Sequence, residues 1–104
     1  MKVKWTEYAV WRRDQVADYI RWHFGVKYRV IFMQEVRKTT QLLRRSPNIG
    51  IIEPLFNDRQ GSYRSIIING LSKMVYRIDD DVIYIVAFWD TRQEPEAQAA
   101  QVKG

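Results

Sequence analysis

Apolar residues near the start of the chain recur at helical spacing after a short alternating segment. Val3 and Trp5 alternate with polar residues, which predicts a short strand over residues 2–6. From Glu7 to Phe24, apolar residues return at helical intervals, which predicts an amphipathic helix capped by Thr6 and ended by Gly25. The apolar positions of this helix are Ala9, Val16, Ala17, Ile20 and Phe24.

A second helix is predicted from about Val26 to Arg45. It should end at Ser46-Pro47, because the residue before a proline disfavours helical geometry. Since only Gly25 separates the two helices, we expect them to form an antiparallel αα-hairpin. The apolar stripe of the second helix consists of Phe32, Met33, Val36, Thr40 and Leu43.

The pattern changes to a period of two after residue 61. Strands are predicted over residues 62–69, 72–78 and 82–89, and their short links indicate an antiparallel meander. The third strand, VIYIVAFW, is nearly continuously apolar, so we expect it to lie inside the sheet. Residues 48–61 contain several proline and glycine residues and are expected to be irregular.

The predicted fold class is therefore α+β. It comprises an N-terminal strand, an αα-hairpin and a three-stranded antiparallel meander that completes one sheet. Two helices can cover one face of this sheet, which leaves the other for solvent or a ligand. The length of 104 residues suits one domain, which we assign to residues 1–95, with a polar tail at 96–104.

Composition excludes several classes of protein. The chain is 46% hydrophobic and 28% charged, which argues against a disordered, collagen-like or coiled-coil protein. It has no cysteine, which excludes disulfides, thiolate zinc sites and cysteine nucleophiles. The N-terminal sequence lacks the apolar run of a signal peptide, and no stretch approaches the ~20 apolar residues of a membrane span. We therefore expect a cytoplasmic protein without membrane contact.

The formal net charge of +5 indicates an anionic partner, either nucleic acid or an acidic protein. The charge is uneven along the chain. Residues 1–64 carry 13 basic and 6 acidic side chains, whereas residues 65–104 carry 4 basic and 6 acidic ones. Net positive charge also serves solubility, so charge alone does not choose a function.

Candidate chemistry is sparse. The single histidine, His23, lies near the end of the first helix, where the helix dipole favours a cation at the surface. Asp79, Asp80 and Asp81 are expected to form a solvated turn, because adjacent carboxylates point in different directions. No glycine-rich nucleotide motif or nucleophile elbow occurs. We therefore predict neither a metal site nor a cofactor.

Basic side chains on the predicted sheet remain as candidate functional groups. They admit two interpretations: ion pairs with acids such as Asp58 or Asp90, or a basic face that binds phosphate or a carboxylate-rich partner. The aromatic residues Trp11, Tyr19 and Trp22 lie among helical residues, so we expect them to pack rather than to stack on bases. The sheet cations are Arg64, Lys73, Arg77 and Arg92.

The order and spacing of several segments resemble the RelE/ParE family, the toxins of type II toxin–antitoxin systems, also called plasmid stabilisation toxins. The resemblance covers about residues 3–95. The matching segments are Ala9…Ile20…Phe24-Gly25, Phe32…Leu42-Leu43, Pro47…Gly50, Tyr63-Arg64-Ser65, Lys73-Met74-Val75-Tyr76-Arg77-Ile78, Asp79-Asp80-Asp81 and Trp89-Asp90-Thr91-Arg92-Gln93-Glu94-Pro95.

The resemblance implies a cytoplasmic bacterial toxin that a cognate antitoxin neutralises. RelE-like members cleave mRNA on the ribosome, whereas ParE-like members inhibit DNA gyrase and are not nucleases. Both kinds share the fold, so the fold does not choose between them. An antitoxin that is disordered alone can fold on contact, and we expect it to bind the exposed apolar rim of the basic αα-hairpin.

For an RNA-cleaving member, the chemistry needs a base, cations for the phosphate and an acid for the leaving oxygen. The resemblance implies that Arg64, Lys73 and Arg92 are the cations. Glu53, in the sequence IIEPL, resembles the carboxylate base of some nucleases, and a lysine is the alternative candidate for the base. In a member that acts by binding, the implied target-binding residues are Arg64, Lys73, Arg77 and Arg92.

This chain departs from the nuclease pattern. The strand after Arg64 continues as Ser65-Ile66-Ile67-Ile68, where nucleases tend to carry another cation. No Tyr or His follows Arg92, and an arginine with a pKa above ~12 is a poor proton donor. We therefore favour ParE-like inhibition of DNA gyrase. The alternatives are a RelE-like, ribosome-dependent mRNA endoribonuclease and, more weakly, a non-toxic nucleic-acid-binding module.

Overall fold

Helices and strands begin and end close to where the sequence pattern changes. The computed structural model describes residues 1–56, 62–91 and 102. Helices α1 (Glu7–Phe24) and α2 (Val26–Arg45) have the predicted bounds. The strands are β1 (Lys2–Trp5), β2 (Ile51–Ile52), β3 (Ser62–Ile68), β4 (Ser72–Asp79) and β5 (Val82–Asp90).

Local signals set the ends of the two helices. The Thr6 hydroxyl accepts a hydrogen bond from the Ala9 N–H at 3.2 Å, which confirms the predicted cap of α1. Gly25 has φ of +100°, a conformation that glycine adopts without a steric penalty, and its N–H donates to the Arg21 carbonyl. One residue therefore ends α1 and precedes α2, which produces the predicted hairpin. Among the described residues, no helix combines the length and apolarity needed to cross a bilayer.

The strands form one mixed sheet in the order β1-β5-β4-β3-β2, in which β1 runs parallel to β5 and the other neighbours are antiparallel. The prediction that β5 lies inside the sheet is confirmed, since β1 and β4 flank it. A bulge falls on β5: Val75 pairs with Ala87 while Tyr76 pairs with Ile85, which leaves Val86 as the extra residue.

Strand β2 corrects the prediction that residues 48–61 are irregular throughout. Ile51 and Ile52 pair with Ser65 and Arg64, so they add an edge strand to β3. A single 3₁₀ turn follows at Pro54–Phe56. A two-residue strand is too short to produce an alternating pattern, which is why the sequence did not reveal it. Residues 57–61 lie outside the described part of the chain.

The main core fills the space between the two helices and one face of the sheet, here called the helix face. The Phe32 ring meets the Phe88 ring edge-on at a centroid distance of 5.8 Å, which joins α2 to β5. The buried residues of this core are Ala9, Ala17, Phe32, Val36, Leu43, Ile68, Met74, Tyr76, Ile83, Ile85 and Phe88.

The opposite side of the sheet, here called the open face, has a smaller core of its own. The Phe56 ring lies 4.9 Å from the Tyr63 ring and 6.4 Å from the Trp89 ring. Val102 is buried in this cluster, whereas the rest of the predicted tail, 96–104, lies outside the described residues. The expectation that this face is left for solvent or a ligand is therefore only partly correct. The cluster consists of Phe56, Tyr63, Val75, Val86, Ala87, Trp89 and Val102.

Candidate functional site

The predicted sheet cations do not share one face. Successive side chains of a strand point to opposite faces, and register partners point to the same one. Arg64 pairs with Tyr76, a helix-face residue, whereas Lys73 pairs with Trp89 on the open face. Arg77 pairs with Tyr63 and Tyr84, so it also lies on the open face. Arg92 lies outside the described residues.

Arg64 binds the segment that follows α2. Its guanidinium donates from Nη1 to the Gly50 carbonyl at 2.8 Å and to the Asn48 carbonyl at 3.3 Å. Its register partner Tyr76 completes the contact: the hydroxyl donates to the Pro47 carbonyl at 2.7 Å and accepts from the Gly50 N–H at 2.9 Å. Arg64 and Tyr76 thus hold residues 47–50 against the sheet.

Lys73 forms a buried ion pair with Glu53. The Lys73 Nζ lies 2.9 Å from Glu53 Oε2 and 3.2 Å from Oε1, and only 19% of the Lys73 side chain and none of the Glu53 side chain is exposed. Glu53 Oε1 also accepts from the Leu55 N–H, and the Lys73 ammonium lies 5.9 Å from the centroid of the Trp89 ring. The pair therefore anchors the 3₁₀ turn to β4 on the open face.

Arg77 is half-buried on the same face, with its guanidinium 5.0 Å from the centroid of the Tyr84 ring. It is four residues from Lys73 on β4, a separation of about 13 Å along a strand. The structure thus brings Glu53 and Lys73 into contact, places Arg77 on their face, and puts Arg64 on the other. The ion-pair interpretation holds for Lys73, although its partner is Glu53 rather than Asp58 or Asp90.

Burial raises the pKa of the Tyr76 phenol above its ordinary value of 10.0, while the hydrogen bond from Gly50 and the Arg64 charge act in the opposite direction. The folded protein therefore keeps the Tyr76 proton at a pH where the unfolded chain loses it. The resulting stability is present below pH 10 and declines as the pH rises through the folded-state pKa.

We expect Tyr76→Phe to lower the free energy of unfolding by about 1–3 kcal/mol near neutral pH, because the buried Gly50 N–H loses its acceptor. The difference from wild type should shrink between about pH 9 and pH 11, since only the wild type has the Tyr76 proton to lose. Urea unfolding of both proteins across this range measures the difference. If the difference in the free energy of unfolding stays constant with pH, the raised pKa of Tyr76 is contradicted.

The other polar features have structural explanations. His23 is exposed in the last turn of α1, as predicted, with its ring 4.2 Å from that of Tyr19. Asp79, Asp80 and Asp81 are exposed at the turn between β4 and β5, where Asp80 has φ of +53°. Within the described ranges, no group of three or more acidic or histidine side chains could hold a metal ion.

Sequence reasoning missed an exposed aromatic surface at the end of the hairpin. All eight residues from Arg21 to Tyr28 are exposed, and Trp22 is 88% exposed. Trp11, Tyr19 and Trp22 are each at least half-exposed. The expectation that they pack is therefore only partly correct, since the Tyr19 ring contacts His23 and the Trp11 ring contacts Tyr8. A helical projection of the sequence indicates that Trp22 is exposed, because this residue lies off the stripe formed by Ala9, Val16, Ala17 and Ile20.

Comparisons with known proteins agree with this architecture. The structure of the chromosomal ParDE TA system from P. aeruginosa matches with a TM-score of 0.70 and 20% identity, over 86% of this chain and 95% of that chain. The YoeB dimer from Staphylococcus aureus matches with a TM-score of 0.56 and 20% identity, over 84% of this chain and 92% of that chain. At this identity, the two matches establish the fold and confirm the predicted α+β class.

Sequence comparison gives the family. No curated protein sequence matches the chain. The family model for the ParE toxin of the type II toxin–antitoxin system, parDE, matches residues 3–95, the range over which the sequence segments resemble the RelE/ParE family. Because this match spans most of the chain, the protein belongs to the ParE toxin family of type II toxin–antitoxin systems.

Proposed function

We propose that this toxin acts in the cytoplasm by binding and inhibiting DNA gyrase, in the ParE-like manner, until its cognate antitoxin neutralises it. The observation that carries the proposal is the burial of Glu53 in an ion pair with Lys73. Glu53 is a candidate base of the nuclease alternative, yet its side chain is fully buried and bound to Lys73. A general base must reach the 2′-hydroxyl from which it removes a proton.

The arrangement of the cations supports the same proposal. Phosphoryl-transfer chemistry needs cations that converge on one phosphate. Arg64 binds backbone carbonyls on the helix face, whereas Lys73 and Arg77 lie on the open face. Arg64 and Lys73 are each held by contacts within the fold, and Arg77 lies about 13 Å from Lys73 along β4, so these cations do not converge on one reacting phosphate.

The mRNA endoribonuclease remains the second candidate, and one observation favours it. Glu53, Lys73 and Arg77 lie on the same face of the sheet, so a base and two cations would be available there if the Glu53–Lys73 pair opened. Arg92 would have to join them from outside the described residues. The weaker candidate, a non-toxic nucleic-acid-binding module, requires only the positive charge.

We expect the purified chain to bind purified bacterial DNA gyrase and to inhibit its supercoiling of relaxed plasmid DNA. In cells, induced expression should arrest growth with DNA damage, and RNA ends mapped in the same cells should show no new codon-specific cuts. A matched culture that also expresses the neighbouring antitoxin gene should grow normally. Cuts in ribosome-bound mRNA with unaffected supercoiling would establish the nuclease instead, and growth without arrest would leave the non-toxic module.

A further inference from the structure

The proposed function leaves the hairpin tip unused. This surface is defined here as residues 19–30, of which all but Ile20 and Arg29 are exposed. Phe24 is 62% exposed and Val26 is 60% exposed, next to Trp22. A cavity of about 290 Å³ opens between the ends of the two helices. It is lined by Arg21, Trp22, Gly25 and Val26.

We propose that the hairpin tip is the surface with which the toxin docks its protein target, and that it enters an apolar cleft with an acidic rim. The inference rests on the proposed function, because it names where gyrase is bound. The hot spots of protein interfaces are enriched in tryptophan, tyrosine and arginine, and all three residue types occur together in the tip. Large side chains of this kind, exposed side by side, mark an interaction surface on a small domain.

The positive charge of the tip predicts that the rim of the partner's cleft is acidic. Residues 19–33 contain no aspartate or glutamate, but they contain Arg21, Lys27 and Arg29. Within the described ranges, none of these three cations has a carboxylate within salt-bridge distance. The first turn of α2 carries no acid that would offset these charges. The tip therefore favours an anionic partner.

The apolar part of the tip favours a protein over a nucleic acid. Bases stack on open ring faces. Four of the tip's rings contact one another, with Tyr19 and His23 inclined by 36° and Phe24 and Tyr28 by 66°. The exposed aliphatic residues Val26 and Val30 offer nothing to a phosphate backbone, whereas they fit an apolar protein cleft.

Charge argues against a second copy of this chain. A symmetric dimer through the tip would bring Arg21, Lys27 and Arg29 of both protomers together. A partner whose cleft has an acidic rim would instead neutralise these charges.

The test is a matched pair of tryptophan variants in the full chain, probed with purified bacterial DNA gyrase. Trp22→Ala removes the most exposed ring of the tip. Trp11→Ala removes another exposed ring of α1, about 16 Å away along the helix axis. We expect Trp22→Ala to weaken gyrase binding and inhibition by about tenfold or more, as truncation of a hot spot does, and Trp11→Ala to leave both within about twofold.

A charge-reversal pair separates lost docking from lost folding. Arg21→Glu with Lys27→Glu should weaken gyrase binding at least as strongly, whereas Lys2→Glu with Lys4→Glu on β1 makes the same change in net charge away from the tip. Lys27→Glu by itself places a carboxylate in the first turn of α2, which should raise the Tm while binding falls.

The outcomes separate the two proposals. Wild-type chain that neither binds nor inhibits gyrase overturns the proposed function and the docking surface together. Wild-type inhibition that persists in Trp22→Ala and in the tip charge reversal overturns the docking surface alone. The docking surface is likewise overturned if the tip variants lose antitoxin binding but inhibit gyrase as wild type does, because the tip is then the antitoxin site expected for the hairpin rim.

Discussion

Replacing Lys73 by methionine is expected to lower the free energy of unfolding by about 3–5 kcal/mol, the cost of leaving a buried charge without its partner. Glu53 loses an ammonium group that lies 2.9 Å away, and its fully buried side chain cannot turn to water without moving the 3₁₀ turn. Small domains have total stabilities of about 5–15 kcal/mol, so this single change should remove a large share. Urea unfolding followed by tryptophan fluorescence measures it.

Two comparison variants show whether the lost stability comes from the buried ion pair. Lys38→Met removes a similar side chain from an exposed pair with Glu35, 3.7 Å apart, and should cost less than about 1 kcal/mol. Glu53→Gln combined with Lys73→Met removes both charges and should recover part of the loss. Equal losses for Lys73→Met and Lys38→Met would show that the buried pair is not a stabilising contact.

The second large effect is expected at Gly50, where alanine should cost about 3 kcal/mol, the upper end of the range for overpacking. A Cβ atom at this position would lie 2.8 Å from the Ser65 carbonyl oxygen and 2.8 Å from the Tyr76 hydroxyl. The carbonyl belongs to the backbone of β3 and cannot move aside cheaply. The substitution should therefore displace residues 47–50 and break the hydrogen bond from Gly50 to Tyr76.

Gly70→Ala is the matched control for this prediction. Gly70 has φ of +70°, and a Cβ atom added there would have no neighbour within 4 Å, so alanine meets backbone strain but no clash. That strain costs about 1–2 kcal/mol. The Tm of Gly50→Ala should therefore be lower than that of Gly70→Ala, and both should be lower than the Tm of wild type. The reverse order of the two variants would contradict the close approach of Gly50 to Ser65 and Tyr76.

The helices were predictable because their signals are local. Thr6, Gly25 and Pro47 each act on their immediate neighbours, so the sequence alone indicates the bounds of α1 and α2. The position of β5 inside the sheet followed from its continuous apolar run, since both of its faces are buried. The order of these elements also carried the family resemblance, which the family model confirms.

The geometry of the cations was not predictable, because it depends on strand register. The connection Asn69-Gly70-Leu71 pairs Ile68 with Ser72, and this register puts Arg64 opposite Tyr76. A shift of one residue would bring Arg64 to the face of Lys73 and Arg77. No local sequence pattern reveals the register of β3 and β4. None indicates that β2 and the 3₁₀ turn place Glu53 beside Lys73.

The parallel pairing of β1 with β5 joins two segments far apart in the sequence, since Lys2 pairs with Val82 and Trp5 with Ile85. Pairing segments so distant in sequence costs loop-closure entropy, which slows folding. During synthesis, β1 leaves the ribosome well before its partner strand exists. The sheet is therefore completed only after β5 has been translated. A truncated product that ends before Val82 lacks the strand with which β1 pairs, so the topology itself withholds the complete sheet from such products.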